Sequence, residues 1–364
     1  MGVLTVEVPN KTYDVVIEQN VYERLQTDYA SLLKRADRVG IIADEFVYET
    51  YGDTLVEIVQ SVQPNVSVYE VPKGESCKTL AVYGDIQSFL LKEGLTRNSI
   101  LLAFGGGAVG DLTGFVAATY MRGIPFIQLP TTILAHDSAV GGKTAINLPE
   151  GKNMVGAFHQ PEAVLFDLNV FKSLPAREWR SGMAELIKHA YISDAAWTEQ
   201  LLAEPKFAQP AFETLESELL RGVRVKADIV REDTFEHGAR KFLNFGHTFG
   251  HAVEAATHFG ELSHGECVMI GMGYALVLSE TLGSIDEGEA ARFIQFAKEQ
   301  GYSFDPIFDH SFDHFLSYMQ KDKKASFGEL YFVILETIGT PRVVNVDVAT
   351  CEQTFQTLQT IVKG

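Results

Sequence analysis

The run Ser99-Ile-Leu-Leu-Ala-Phe104 is apolar after its first residue and leads straight into Gly105-Gly-Gly-Ala-Val-Gly110-Asp111. A short apolar run of this kind reads as a buried strand. Gly105, Gly107 and Gly110 then match G-x-G-x-x-G at the turn from strand to helix, where glycine lets the backbone approach a phosphate and the helix N-terminus offers N–H donors. The bland alternative is a tight turn that binds nothing. The acidic residue usual about 20 residues downstream is not evident. Asp44, closing Val39-Gly-Ile-Ile-Ala-Asp44, stands at the end of an earlier strand instead. It either accepts ribose hydroxyls from that neighbouring strand or simply caps the following helix.

The first half of the chain alternates in the same way. Strand-like runs cover Tyr13–Glu18, Arg38–Ala43, Val66–Val71, Ser99–Phe104, Pro125–Leu129 and Ala163–Phe166, with helical patterns between them at Phe46–Val62 and Leu80–Lys92. That alternation predicts βαβ units around a mostly parallel sheet, a Rossmann-like α/β domain. From about Pro175 the period changes. Arg177–Ile192, Phe212–Arg231, His247–His258, Cys267–Leu282 and Glu289–Gln300 suit helices, and Tyr331–Leu335 with Arg342–Val346 suits a strand pair. A chain of 364 residues is long for one core. We therefore expect an α/β domain over residues 1–174, a mainly α-helical domain over 175–364, and an active site in the cleft between them.

Composition narrows the function. The net charge of −18 disfavours nucleic acid and anionic membranes as partners, and makes any local cluster of Lys and Arg informative. No apolar run approaches the roughly 20 residues of a membrane span. The first residues carry no basic region of a signal peptide. Met1-Gly2 lacks the Ser or Thr of a myristoylation signal, with Val6 in its place. Three widely spaced cysteines, Cys77, Cys267 and Cys351, suit reduced thiols in the cytoplasm.

Several clusters point to chemistry. Lys143 and Lys152 fall in Gly-bearing stretches that read as loops, which suggests an anion site; either one alone reads as a solvated lysine. Glu185 and Lys188, at i, i+3 on a helix with apolar flanks, would both be buried and so need partners or a metal. Four of the ten histidines fall between His247 and His264. His247 and His251, at i, i+4, share a helix face with spacing that suits two metal ligands, and a carboxylate plus two imidazoles with an open position describes a catalytic zinc site. Packed or capping histidines are the alternative there. For His136, His159, His189, His237, His258, His310 and His314 that bland reading is preferred.

Taken together these residues resemble a known family. Gly105–Asp111, Asp137–Lys143, Gly151–Pro161, Glu185–His189, Asn244–Ala252, His264-Gly-Glu266 and Asp322-Lys-Lys324 occur in the order of the signature motifs of the 3-dehydroquinate synthases. The resemblance implies zinc, or a substituting divalent metal such as cobalt, on Glu185, His247 and His264. It implies NAD on Asp44, Glu75, Lys78, Gly106, Gly107, Asp111, Thr131, Thr132 and Ser173. Lys143, Lys188, Lys226, Arg240, Asn244 and His251 are the implied catalytic set. Arg122, Asp137, Lys152, Asn153 and Lys324, together with Lys143, Lys226 and Arg240, are implied to hold an anionic sugar phosphate. Spacing and resemblance differ on one ligand, His251 against His264. Ala108 stands where Val is common, and the segment before Asp137 is a residue shorter than in some members, which leaves His136 without a role. Related cyclases such as 2-deoxy-scyllo-inosose synthase, and glycerol dehydrogenases, are the rival readings. The lysine and arginine cluster argues against glycerol, which has no anion. We also expect a homodimer, which no residue pattern specifies.

Overall fold

Strands β3 (Val39–Asp44) and β5 (Ile100–Gly105) are buried at every position. Their unbroken apolar runs suit the centre of a parallel sheet covered on both faces. A computed structural model describes residues 2–9, 11–203, 211–234, 238–257, 261–320 and 330–364. The first of two compact units comprises Met1–Leu174 and Ala211–Arg231. Its remaining strands are β1 (Gly2–Val8), β2 (Lys11–Glu18), β4 (Val66–Val71), β6 (Phe126–Pro130), β7 (Lys143–Leu148), β8 (Gly151–Phe158) and β9 (Ala163–Asp167). Seven of them form one sheet in the order β1-β2-β9-β6-β5-β3-β4, parallel throughout except for the β1–β2 hairpin. The chain steps from β3 outward to β4, then returns to place β5 on the other side of β3. The carboxyl ends of β3 and β5 therefore flank a topological switch point, the usual ligand crevice of an open α/β sheet. Asp44 ends one of these strands and Gly105 the other.

Helices α1 (Glu45–Gln60), α2 (Leu80–Lys92) and α3 (Gly107–Thr119) follow strands of this sheet. Ile86 and Leu90 of α2 and Leu112 and Val116 of α3 meet Leu101, Phe126 and Ile146 in one buried cluster. Each such side chain contributes about 1.5–3 kcal/mol on burial.

One part of this unit departs from the sequence expectation. Lys143 and Lys152, read as loop residues, stand on the antiparallel hairpin β7–β8, joined by Pro149-Glu150. The run Asn153–Gly156 of β8 is exposed throughout, so it carries no alternating apolar pattern that would mark a strand. β7 does pack closely: a Cβ on Gly114 of α3 would sit 2.4 Å from Thr144 Cγ2.

The second unit comprises Pro175–Pro210 and Glu232–Gly364. It contains α4 (Ala176–Ser193), α6 (His247–Ala256), α7 (His264–Thr281), α8 (Glu289–Glu299), α9 (Val348–Lys363) and the antiparallel pair β10 (Leu330–Thr337) and β11 (Thr340–Val346). The long helix α5 (Phe212–Glu232) lies almost wholly in the first unit, although it follows residue 174 in sequence. A helical pattern says nothing about which core a helix joins. α7 is buried continuously from Gly265 to Ser279, as a helix apolar all round must be. It begins at His264, three residues before the expected Cys267, because Ser263 and Glu266 form a capping box. Among the described residues no helix is long and apolar enough to cross a membrane.

Candidate active site

The glycines at the end of β5 and the start of α3 are favoured by close neighbours, not by backbone angle. A Cβ at Gly105 would lie 2.7 Å from Val109 Cγ2, one at Gly107 2.6 Å from Ser138 Oγ, and one at Gly110 2.6 Å from Gln128 Oε1. Gly106 caps α3 without a side chain, with Thr132 Cγ2 3.1 Å from where its Cβ would be. The first amides of α3 are thus approachable by an anion. Across the switch point Asp44 caps α1. Its carboxylate accepts from the amides of Phe46 (3.1 Å), Val47 (3.3 Å) and Gly74 (3.4 Å). The capping alternative is what the backbone realises, and it leaves the carboxylate beside the glycine loop.

Lys78 is almost fully buried, and its Nζ donates to Asp111 Oδ2 at 2.7 Å and Asn153 Oδ1 at 2.6 Å. Burial works against its charge, but Asp111 and Glu75 outweigh burial and hold it above the usual lysine range. Glu75 accepts from Asn147 Nδ2 at 2.7 Å. Lys226, on α5, donates to Asp137 at its backbone oxygen and at Oδ2 (3.0 Å). Thr131 is buried and its amide bonds Gly105 O, while Ser173 Oγ closes a turn on Val170 O. Arg122 is exposed at φ 70°, between Met121 at 50° and Gly123 at 121°.

In the second unit three ligand-type side chains converge. Glu185 on α4 is 1% exposed, and its Oε1 lies 3.4 Å from His247 Nε2 and 3.2 Å from His264 Nε2. Lys188, one turn along α4, forms an ion pair with Glu185 Oε2 at 2.5 Å. His247 Nδ1 meets Phe245 O at 3.1 Å, which fixes the proton there and turns the Nε2 lone pair to the cluster. Burial drives His247 down to about 4, despite Glu185. Burial opposes charge at His264 too, but the Glu185 and Glu254 carboxylates outweigh it and raise His264 to about 10. Two carboxylates around one imidazole call for positive charge. A divalent cation on one oxygen and two nitrogens, with an open fourth position, meets that need once His264 gives up its proton.

His251 is half-buried, and its ring centre lies 5.3 Å from that of His247. It groups instead with Glu254 and His264 within ligand distance. The structure thus brings Glu185, His247 and His264 together, and sets His251 beside them. Arg240 is buried in the 3-10 turn Ala239–Asn244, and Asp233 Oδ2 accepts from the amides of Gly238 (2.6 Å) and Arg240 (3.0 Å); the Arg240 guanidinium donates to Thr234 O. Asn244 lines a small crevice with Gly246, Thr248 and Phe332. Lys324, His237 and His258 lie outside the described residues. His136 is fully buried with Nδ1 on Ile133 O at 2.7 Å, and His159 stacks on Phe126; both fit the bland reading.

Sequence reasoning passed over two residues. Glu254 contacts His264 Nδ1 at 3.5 Å. Its position seven residues after His247, on the same helix face, was an available signal. Asn147 offered no comparable one.

A mostly parallel α/β sheet followed by a mainly helical unit is the fold of the sugar phosphate cyclases. A solved structure of 2-deoxy-scyllo-inosose synthase complexed with carbaglucose-6-phosphate, NAD+ and Co2+ superposes with a TM-score of 0.88 at 24% identity, covering 98% of this chain and 99% of that one. ValA, the 2-epi-5-epi-valiolone synthase of Streptomyces hygroscopicus with NAD+ and Zn2+ bound, does so at 0.86 and 26%, covering 97% and 98%. Within this class, sequence models of the 3-dehydroquinate synthase N-terminal and C-terminal regions match residues 68–181 and 182–325. The 3-dehydroquinate synthase of Lysinibacillus sphaericus is 51% identical over 94% of this chain and 93% of its own, and that of Listeria monocytogenes serotype 4b 48% identical over 94% and 93%. The chain belongs to the 3-dehydroquinate synthase family, and it is an enzyme of that type, a phosphate-eliminating lyase.

Proposed function

We propose that the chain converts 3-deoxy-D-arabino-heptulosonate 7-phosphate into 3-dehydroquinate and inorganic phosphate, using NAD and zinc. The observation that carries this reading is the convergence of Glu185, His247 and His264 on one point in a chain of this family. When bound, NAD would supply a transient oxidation of the carbon-5 hydroxyl of the substrate, and a divalent cation held by Glu185, His247 and His264 would supply Lewis acidity toward the substrate oxygens. A carbon-5 ketone acidifies the carbon-6 proton, whose removal expels the carbon-7 phosphate; with carbon 5 restored to a hydroxyl, ring opening and an intramolecular aldol reaction close the carbocycle.

The chain's own residues then have distinct jobs. The amides of Gly106 and Gly107, with Lys78 and Asp111, hold the dinucleotide, helped by Asp44, Glu75, Thr131, Thr132 and Ser173. Lys143, Lys152, Asn153, Arg122, Arg240 and Lys324 bind the carboxylate and phosphate of the substrate, against an overall charge of −18. Asp137 and Lys226, already paired, orient its hydroxyl groups with Asn244. Lys188 steadies the Glu185 carboxylate, and His251 moves a proton at the reacting oxygens. Identities of 44–51% to 3-dehydroquinate synthases favour this substrate over that of 2-deoxy-scyllo-inosose synthase, at 24%. We place the enzyme in the cytoplasm, where its three buried, unbridged thiols stay reduced, and as a homodimer.

Substrate and products stand at the same oxidation level, so the purified enzyme should release phosphate while absorbance of NADH stays flat. Stoichiometric build-up of NADH would instead mark a dehydrogenase. Phosphate release from other sugar phosphates but not this one would mark a different cyclase.

A further inference from the structure

We infer that Asn147 is a positioning residue that couples the cofactor side of the first unit to its substrate side; the inference rests on the roles proposed above for Glu75, Lys78 and Asn153. Asn147 is half-buried near the end of β7, and it uses backbone and side chain in opposite directions. Its amide N–H donates to Lys78 O at 2.7 Å, and it forms a parallel bridge with Thr79. Its Nδ2 donates to Glu75 Oε2 at 2.7 Å. Its Oδ1 accepts from the Asn153 amide at 2.9 Å. A second link runs alongside, from Lys78 Nζ to Asn153 Oδ1 at 2.6 Å.

This arrangement has a physical consequence. Asn153 sits at φ 56°, a left-handed conformation uncommon outside glycine, although asparagine adopts it more readily than most residues. The Asn147 Oδ1 bond to its amide helps to hold that conformation. The side-chain amide can make both bonds only in one orientation, with oxygen toward Asn153 and nitrogen toward Glu75. The turn carrying Glu75 and Lys78 and the β8 strand carrying Lys152 and Asn153 therefore share one hinge-pin. A ligand that orders Glu75 and Lys78 also orders Asn153, and a ligand that orders Asn153 does the reverse. Coupling of this kind is reciprocal.

The test measures that coupling directly. NADH replaces NAD, so the first hydride transfer cannot occur and substrate and cofactor form a dead-end complex. NADH binding is followed by its fluorescence, with and without saturating 3-deoxy-D-arabino-heptulosonate 7-phosphate. In the wild-type enzyme substrate should tighten NADH binding by about fivefold or more. In Asn147→Ala that ratio should fall to within about twofold of one, while NADH affinity without substrate changes less than the ratio does. Asn147→Asp keeps the size and the acceptor for Asn153, loses the donor to Glu75 and sets two carboxylates together; it too should lose the ratio, and circular dichroism checks that it is folded. An unchanged ratio in both variants, or no enhancement in the wild type, overturns the inference while leaving the proposed function intact. Absence of any NADH binding to the wild-type enzyme overturns both.

Discussion

His247→Ala, His264→Ala and Glu185→Ala should each purify with little zinc and release almost no phosphate, whereas His251→Ala should keep about one zinc per chain and turn over about 10²–10⁴-fold more slowly. The difference follows from where the nitrogens point. Nε2 of both His247 and His264 lies within 3.4 Å of the same Glu185 oxygen, so removing any one of the three leaves that shell a ligand short. His251 groups with Glu254 and His264. On the role proposed for it, loss of its imidazole would remove a proton carrier and leave the Glu185, His247 and His264 set whole. Metal content by mass spectrometry, read beside phosphate-release rates for the four variants, decides the matter. If His251→Ala comes out metal-free and His264→Ala does not, helical spacing identified the ligands and the carried-over set is wrong.

That contest between spacing and contact shows where the sequence is informative. Apolar runs such as Ile100–Phe104 are legible because a strand covered on both faces needs every side chain apolar, and this one becomes β5 almost residue for residue. The glycine loop is legible because few residues fit where Val109, Ser138 and Gln128 press against the backbone. Legibility ends where a role depends on tertiary neighbours. His264 joins Glu185 and His247 through the packing of α7 on α4 and α6, which no local period records. Within α6 the i, i+4 pair His247 and His251 does share a face, and His247 Nε2 lies 3.4 Å from Glu185 Oε1, a contact that spacing alone does not record. The hairpin β7–β8 escaped notice for the opposite reason. Its exposed strand Gly151–Phe158 has no buried face to impose alternation, so Lys152 and Asn153 read as loop. Asn147 is invisible for a similar reason, since an asparagine before Leu-Pro-Glu reads as turn chemistry until its partners are known.

Gly265→Ala should lose both stability and metal without touching a ligand. A Cβ at Gly265 would lie 2.1 Å from Ser181 O, a backbone atom of α4 that cannot swing aside as a side-chain tip can. The same crossing is bolted by polar contacts. Gly265 N donates to Ser181 Oγ at 3.2 Å, and Glu266 accepts from Ser263 N at 2.7 Å and from Arg177 Nε at 3.0 Å. α7 must therefore move away from α4 to admit one methyl group, and overpacking of this kind costs about 3 kcal/mol. At roughly 2–4 °C per kcal/mol, the melting temperature should fall by about 6–12 °C. His264 is the neighbouring residue and Glu185 lies one turn beyond Ser181, so the same displacement pulls two ligands apart. A drop in zinc affinity of about 10–100-fold, measured by chelator competition, should accompany the thermal loss. Gly84→Ala is the matched control. It adds the same methyl to α2, where nothing lies within 4 Å, and should raise stability by about 0.5–1 kcal/mol through helix propensity with metal binding unchanged. A Gly265→Ala enzyme that melts with the wild type and binds zinc as tightly would show that the α4–α7 crossing yields freely, and that something other than this contact sets the distance between Glu185 and His264.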